Sequence, residues 1–457
     1  MTAALSIPQL NLTNDSKVVI FEDEFLNADD LIVVTKDAAK RSKTRVLSEI
    51  TEMIREKKWN DIIALFYPVE EKLPELLKNN MDLAIREKLA FAMGQVQKFD
   101  QAIVELQICI KKDPENFYTR SSLAYTAYNS LYAVKNKEIF LAGEEKKKRI
   151  EIAHENFKKA QHLRPDGVTN FYREGMLYKE LENKSDKALP LFQQAASNWN
   201  KLTEAEKTER HQERKNYVKA VYRFAACLME KGMANKALVA IQNCLKEDEK
   251  TDYVSKLFKY FALGKANFHS NNFPEARNAL LFATKCGSVN SSDYVYELLG
   301  RTYLALDNLD KALEIIGKVP EKFRRPYYRW TEADILCKAG EYDSAKQILT
   351  QSAKRDGRSR HKSLMRVAKI EYLLRNYQEA LKYARQAGLF FQNKWGNIYN
   401  ESLFWEAVSN YRLGNIEDAR HCANKLNDIF PLYPNLSLLR KKLNSNVTIL
   451  REHQAVT

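Results

Sequence analysis

The chain has 457 residues and a formal net charge of +14, with 29% charged residues and only 14 Gly and 11 Pro. That composition favours helix and argues against a large β domain or long disordered tracts. No apolar run approaches the roughly 20 residues that span a membrane, and the first residues, MTAALSIPQLNLTNDSK, lack the basic start and apolar core of a signal peptide.

A soluble, cytoplasmic protein is the expectation. Six cysteines (Cys109, Cys227, Cys244, Cys286, Cys337 and Cys422) occur singly, without a Cys-x-x-Cys pair, and read as buried thiols in a reducing compartment. Residues 1–35 differ from the rest of the chain. Asp15, Glu22, Asp23, Glu24, Asp29 and Asp30 stand against one base, Lys17, so this segment carries −5 and the rest +19. The apolar clusters 18–21 and 31–34 alternate with the acids, and no helical period holds. An acidic arm on a basic body is expected. It either caps the first helices or docks in a groove, its own or that of a second copy in a homo-oligomer.

From about Lys40 a helical repeat begins. Its clearest instance is AHENFKKAQHLRPDGVTNFYREGMLY, Ala153 to Tyr178. Ala153, Phe157 and Ala160 share one helix face. Pro165, Asp166 and Gly167 stop that helix, and Phe171, Gly175 and Tyr178 share a face of the next. Positions equivalent to Ala153 recur as Ile62, Ala102, Ala188, Ala237, Ala276, Ala312, Ala345, Ala380 and Ala419. Trp59, Phe99, Phe273, Leu309, Tyr342, Tyr377 and Ile416 lie three residues before the anchor. Gly175, Gly264 and Gly300 lie twelve or thirteen before it, Gly232, Gly340 and Gly414 five before it. Pro74, Pro114, Pro165 and Pro431 lie twelve after it.

This pattern resembles the tetratricopeptide repeat, over roughly residues 40–431. The resemblance implies an all-α, right-handed superhelical solenoid of about ten helix pairs. Physics points the same way, because a single pair cannot bury both its faces and must stack on its neighbours. The expected domains are the acidic arm at 1–35, the solenoid at 36–433, and a capping helix (NLSLLRKKLNS) with its tail at 434–457. Two charged insertions, YAVKNKEIFLAGEEKKKRIEI before Ala153 and KLTEAEKTERHQERKN before Tyr217, read as helices lengthened beyond the repeat frame.

Catalytic chemistry has little to rest on. None of the seven histidines pairs with another at i+4, and none sits in H-E-x-x-H. His154 and His162 stand eight residues apart across a helix and its end. His421 and Cys422 are adjacent and point about 100° apart on a helix, unsuited to a dyad. Gly264–Lys265 and Gly317–Lys318 lack the spacing of a phosphate loop. The chain reads as no enzyme, with no cofactor and no metal.

Binding is better supported. In the resembled family, first helices line a concave groove that takes extended peptides or partner helices. One residue after the family Gly position come Lys265, Arg301, Asp334 and Lys369, with Lys362 and Arg366 on the same helix as Lys369. Tyr327, Arg329 and Trp330 add aromatic and basic surface. The expected ligand-binding groove is therefore Lys265, Arg301, Tyr327, Arg329, Trp330, Lys362, Arg366 and Lys369, suited to an acidic peptide or a nucleic-acid backbone. The family's carboxylate clamp for chaperone tails needs Asn at that same position. Here it holds Thr51, Phe91, Tyr125, Met176, Ala226, Lys265, Arg301, Asp334, Lys369 and Val408, none of them Asn, which disfavours a chaperone adaptor. The reading is a non-catalytic scaffold or adaptor within a larger assembly. Its alternatives are a nucleic-acid-binding or regulatory subunit, and a noncatalytic subunit serving a separate enzyme.

Overall fold

The computed structural model describes residues 43–444. The expected acidic arm and the extreme tail from Val447 lie outside those residues. Every regular element among the described residues is helical. The chain divides into two compact units at Ser255 and Lys256.

The first unit opens with α1 (Lys43–Arg55), α2 (Trp59–Phe66) and a one-turn α3 (Val69–Lys72). Then come α4 (Leu83–Gln95), α5 (Phe99–Lys112), α6 (Phe117–Lys135) and α7 (Gly143–Leu163). The unit ends with α8 (Thr169–Met176), α9 (Ser185–Lys201), α10 (Glu204–Glu209), α11 (Glu213–Glu230) and α12 (Ala234–Glu247). The second unit holds α13 (Lys256–His269), α14 (Phe273–Cys286), α15 (Asp293–Ala305), α16 (Leu309–Gly317) and α17 (Pro326–Lys338). It continues with α18 (Tyr342–Arg355), α19 (Arg360–Leu373), α20 (Tyr377–Trp395), α21 (Asn400–Leu413) and α22 (Ile416–Ile429). A last helix, α23, covers residues 436–444.

The helices pack as ten consecutive pairs: α1/α2, α4/α5, α6/α7, α8/α9 and α11/α12 in the first unit, and α13/α14 through α21/α22 in the second. Within a unit, each pair's first helix also packs on the second helix of the preceding pair. The ten anchors fall one on each second helix, and all are at most 1% exposed. The apolar residues three before the anchor, such as Phe99 and Tyr342, begin those helices.

Local sterics explain the small residues. A Cβ added to Gly264 would stand 2.5 Å from the Leu280 side chain, and one on Gly175 2.6 Å from the Phe192 ring. Leu280 and Phe192 each lie four residues after an anchor, one turn along the same face. The first helix thus brings bare backbone against the second helix's largest apolar side chain.

The turn inside a pair is equally regular. Lys57, Gln97, Asn183, Gly232, Asn271, Asp307, Gly340, Arg375 and Gly414 all have positive φ, five residues before their anchors. In most of these turns the following N–H returns to the carbonyl five residues back, as Lys98 does to Met93 and Glu341 to Leu336, both at 2.9 Å. This is the Schellman closure of a helix end. Three of the nine positions are Gly and three are Asn or Asp, residues that tolerate the left-handed region; Lys57, Gln97 and Arg375 bear its strain.

The first insertion lengthens α6 to 19 residues and α7 to 21, as its composition leads one to expect. The second does otherwise. α9 ends at Lys201, and Thr203 starts the separate α10 through a capping box with Glu206. Only its last residues extend α11. At the C-terminal end, Leu436, Leu439 and Leu443 of α23 pack with Leu403, Ala407, Ala419, Ala423 and Leu426.

Candidate binding surfaces

The expected groove residues all lie on first helices of the second unit: Lys265 on α13, Arg301 on α15, Tyr327, Arg329 and Trp330 on α17, and Lys362, Arg366 and Lys369 on α19. Neighbouring first helices touch in order from α13 to α21, so residues at one register form a row. Cations in that row stand over aromatic rings. Arg301 lies 4.9 Å from the Phe268 centroid, Arg366 5.1 Å and Lys362 5.3 Å from Trp330, and Lys369 5.8 Å from Trp405.

Acids alternate with these cations. Glu297 is 3.7 Å from Arg301, Asp334 3.4 Å from Arg366, and Glu401 2.5 Å from Lys369. The row is a ladder of alternating charge rather than a uniform basic strip. Burial raises the pKa of Glu297 and of Asp334 against the pull of their cationic neighbours. Asp334 keeps half its side chain accessible, so its desolvation reflects protein walls around it. Burial also opposes ionisation of Glu401, yet Lys369 holds its pKa below the usual value. On α13, burial and then Lys265 and Arg301 together lower the pKa of His269, which places both cations in one field.

The α17 residues serve packing first. Trp330 is 7% exposed, and its indole N–H donates to Ser363 Oγ at 2.8 Å. It packs with Ala333, Ala345, Leu349, Val367 and Ile370. Arg329 is buried and reaches Glu321 at 3.3 Å. The half-buried Tyr327 donates its hydroxyl to Asp293 Oδ2 at 2.9 Å.

A second cluster, which sequence reasoning missed, lies on first helices of the first unit. α6 supplies Tyr125, Tyr128 and Tyr132, α8 supplies Tyr172 and Arg173, and α11 supplies Tyr222 and Arg223. Tyr125 and Tyr128 stack at 5.9 Å, Tyr128 and Tyr132 lie 4.8 Å apart, and the Arg173 guanidinium covers Tyr125 at 3.6 Å. Arg223 Nη1 donates to Glu180 Oε1 at 2.9 Å, and Lys135 reaches Glu180 Oε2 at the same distance. Burial pushes the Tyr172 and Tyr222 phenols up to about 12, so both stay neutral donors at ordinary pH. Burial works against the Arg223 charge, yet Glu180 and the surrounding phenols of Tyr172, Tyr222 and Tyr132 raise its pKa. The signal was in the sequence. Tyr172-Arg173 and Tyr222-Arg223 stand two residues ahead of the small residues Gly175 and Ala225, at one register of two successive pairs.

The histidines and cysteines serve structure. His154 is held between Glu174 at 2.9 Å and Glu182 at 2.7 Å. Burial pushes the Cys422 thiol up to about 11, unsuited to a nucleophile. All six cysteines are free; Cys109, Cys227 and Cys244 are buried, whereas Cys286, Cys337 and Cys422 are only partly so. Among the described residues, no group of three or more His, Cys, Asp and Glu side chains gathers to hold a metal. No helix among them is long and apolar enough to cross a membrane.

The tetratricopeptide repeat family model matches residues 331–390, which hold α18 and α19 whole together with the Ala345 and Ala380 anchors. The chain is a tetratricopeptide repeat protein. No curated protein sequence matches it significantly. Among solved structures it is similar to yeast Tom70, at 13% identity over 90% of this chain and 96% of that one, with a TM-score of 0.41. It is also similar to the APC/C hetero-tetramer Cut9–Hcn1, at 12% identity over 88% and 84% with a TM-score of 0.42. The human IFIT1 dimer with PPP-AAAA gives 14% identity over 85% and 87%, and a TM-score of 0.39. These likenesses are too distant to carry a ligand across.

Proposed function

We infer that this tetratricopeptide repeat protein is a non-catalytic scaffold that holds a protein segment against its first helices, within a larger assembly. The observation that carries this is the second-unit row, where cations stand on aromatic rings and Glu297, Asp334 and Glu401 alternate with them. A peptide offers side chains of both signs and apolar groups to such a row. A nucleic-acid backbone offers one charge per nucleotide, and three partly buried carboxylates along its path would repel it. An acidic peptide suits the cations and a mixed-charge peptide suits the whole ladder.

The test is affinity capture with the full chain and with a variant carrying Arg301→Glu, Arg366→Glu and Lys369→Glu, from nuclease-treated extract, read by mass spectrometry. A protein retained by the wild type and lost from the triple variant, with helicity unchanged, supports the reading. Equal retention by both moves the site off this row. Binding that vanishes with nuclease, or falls as a steep power of salt concentration, refutes the peptide reading in favour of nucleic acid.

A further inference from the structure

The tyrosine–arginine cluster of the first unit shares no residue with the second-unit row, and its chemistry is different. Its ring faces are largely taken. Tyr128 contacts Tyr125, Tyr132 and Phe157, Arg173 covers Tyr125, and Tyr172 lies against Phe192. Hydrogen-bond donors remain open. Among the described residues, neither the Tyr172 nor the Tyr222 hydroxyl has a hydrogen-bond partner, and Arg223 uses Nη1 alone. Arg223 is recessed, its side chain 11% exposed, and the phenols of Tyr132, Tyr172 and Tyr222 are near enough to act on its charge. None of these three groups is sealed in the core.

Charge adds direction. Arg223 and Lys135 share one acid, Glu180, so two cations stand against a single carboxylate. The remaining N–H groups of the Arg223 guanidinium point to no protein acceptor among the described residues. A carboxylate takes two parallel N–H bonds from such a fork. Phenol hydroxyls on either side suit the carbonyls of an extended backbone, and tyrosine presents them at low entropic cost.

We propose that α6, α8 and α11 form a second binding groove for an extended peptide, with one acidic side chain seated on Arg223 and backbone carbonyls accepting from Tyr172 and Tyr222. Base stacking on the tyrosines is disfavoured because their faces already contact other protein groups. The acid is a single recessed contact rather than the end of a polyanion.

A phage-displayed library of random dodecapeptides, panned on the full chain, supplies the probe. Selected peptides are expected to share one Asp or Glu among apolar residues. Binding of a selected, fluorescein-labelled peptide is read by anisotropy. Arg223→Lys keeps the charge but loses the fork, and Tyr172→Phe removes only a hydroxyl. Each is expected to weaken binding at least tenfold with the melting temperature unchanged, while Arg366→Glu in the second unit leaves binding intact. Selection without an acidic consensus, no enrichment at all, or indifference to both first-unit variants overturns the proposal. A labelled oligothymidylate that binds the wild type and is lost from these same variants overturns it in favour of nucleic acid.

Discussion

His361 sits on α19 inside a cage formed by Phe390, Phe391, Trp395 and Tyr399, with ring centroids 5.0 to 6.2 Å away. It is 5% exposed, and its Nδ1 has no hydrogen-bond partner. Burial lowers its pKa from 6.5 to about 4, Lys362 adds to the drop, and Asp356 and Glu401 oppose it. The folded state thus binds this proton less well than the unfolded chain. Its contribution is complete above pH 6.5, declines as pH falls through the window, and levels off below about 4. One pKa unit corresponds to about 1.4 kcal/mol, so lowering the pH from 7.5 to 5 crosses about 1.5 units of the window and removes about 2 kcal/mol. For a unit of this size that is about 4–8 °C of melting temperature.

Carboxylates titrate over the same range, and several, such as Glu297 and Glu332, have pKa values raised by burial. The wild-type profile therefore mixes signs. His361→Phe removes only the imidazole contribution and keeps an aromatic in the cage. Calorimetric melting of both proteins at pH 7.5 and 5 isolates it. The wild type is expected to lose about 4–8 °C more than the variant. Trp395 fluorescence reports the same cage, since the two rings lie 5.1 Å apart. Equal pH sensitivity of the two proteins refutes the reasoning, because His361 would then titrate alike folded and unfolded.

Three further outcomes concern stability. Gly264→Ala drives a methyl to 2.5 Å from Leu280, so overpacking of about 1–3 kcal/mol is expected to outweigh about 1 kcal/mol of helix propensity; a raised melting temperature contradicts this. Arg375, at φ 64°, is expected to gain about 0.5–1 kcal/mol on replacement by Gly, which sheds left-handed strain less the entropy of a freer unfolded chain; a lower urea midpoint for the variant argues against strain there. Arg86 is 1% exposed and bonds Asp82 at 2.7 Å and Glu105 at 2.5 Å, so Arg86→Ala strands two buried carboxylates and is expected to cost about 3–5 kcal/mol; chemical denaturation that finds less than about 1 kcal/mol would mean those acids simply take up protons.

The sequence by itself determined the repeat. The anchors, the first residues of the second helices and the close-approach glycines follow from local sterics and helical period, which act within one pair. Ala276, Leu280 and Gly264 can be read from spacing alone because each needs the others a fixed number of residues away. The left-handed turn position was visible at Gly232, Gly340 and Gly414 and hidden at Lys57, Gln97 and Arg375, where pair packing overrides residue preference. The second insertion departs from its compositional reading because Thr203 and Glu206 form a capping box inside a stretch whose residues favour continuous helix.

Tertiary structure alone decided the character of both surfaces. The basic residues of the second unit were legible as a register. Their pairing with Glu297, Asp334 and Glu401 was not, because two of those acids lie on the neighbouring first helices α17 and α21 and the third sits one turn back on α15 itself. The surface potential depends on those neighbours as much as on the cations. Trp330 was readable as an aromatic beside the row. Only packing revealed that its ring is core on one side and a seat for Lys362 and Arg366 on the other. The first-unit cluster joins Tyr128 to Tyr172 and Arg223 across three helices that lie tens of residues apart in sequence. Fixed offsets within one pair do not report contacts between pairs; stacking the pairs creates them.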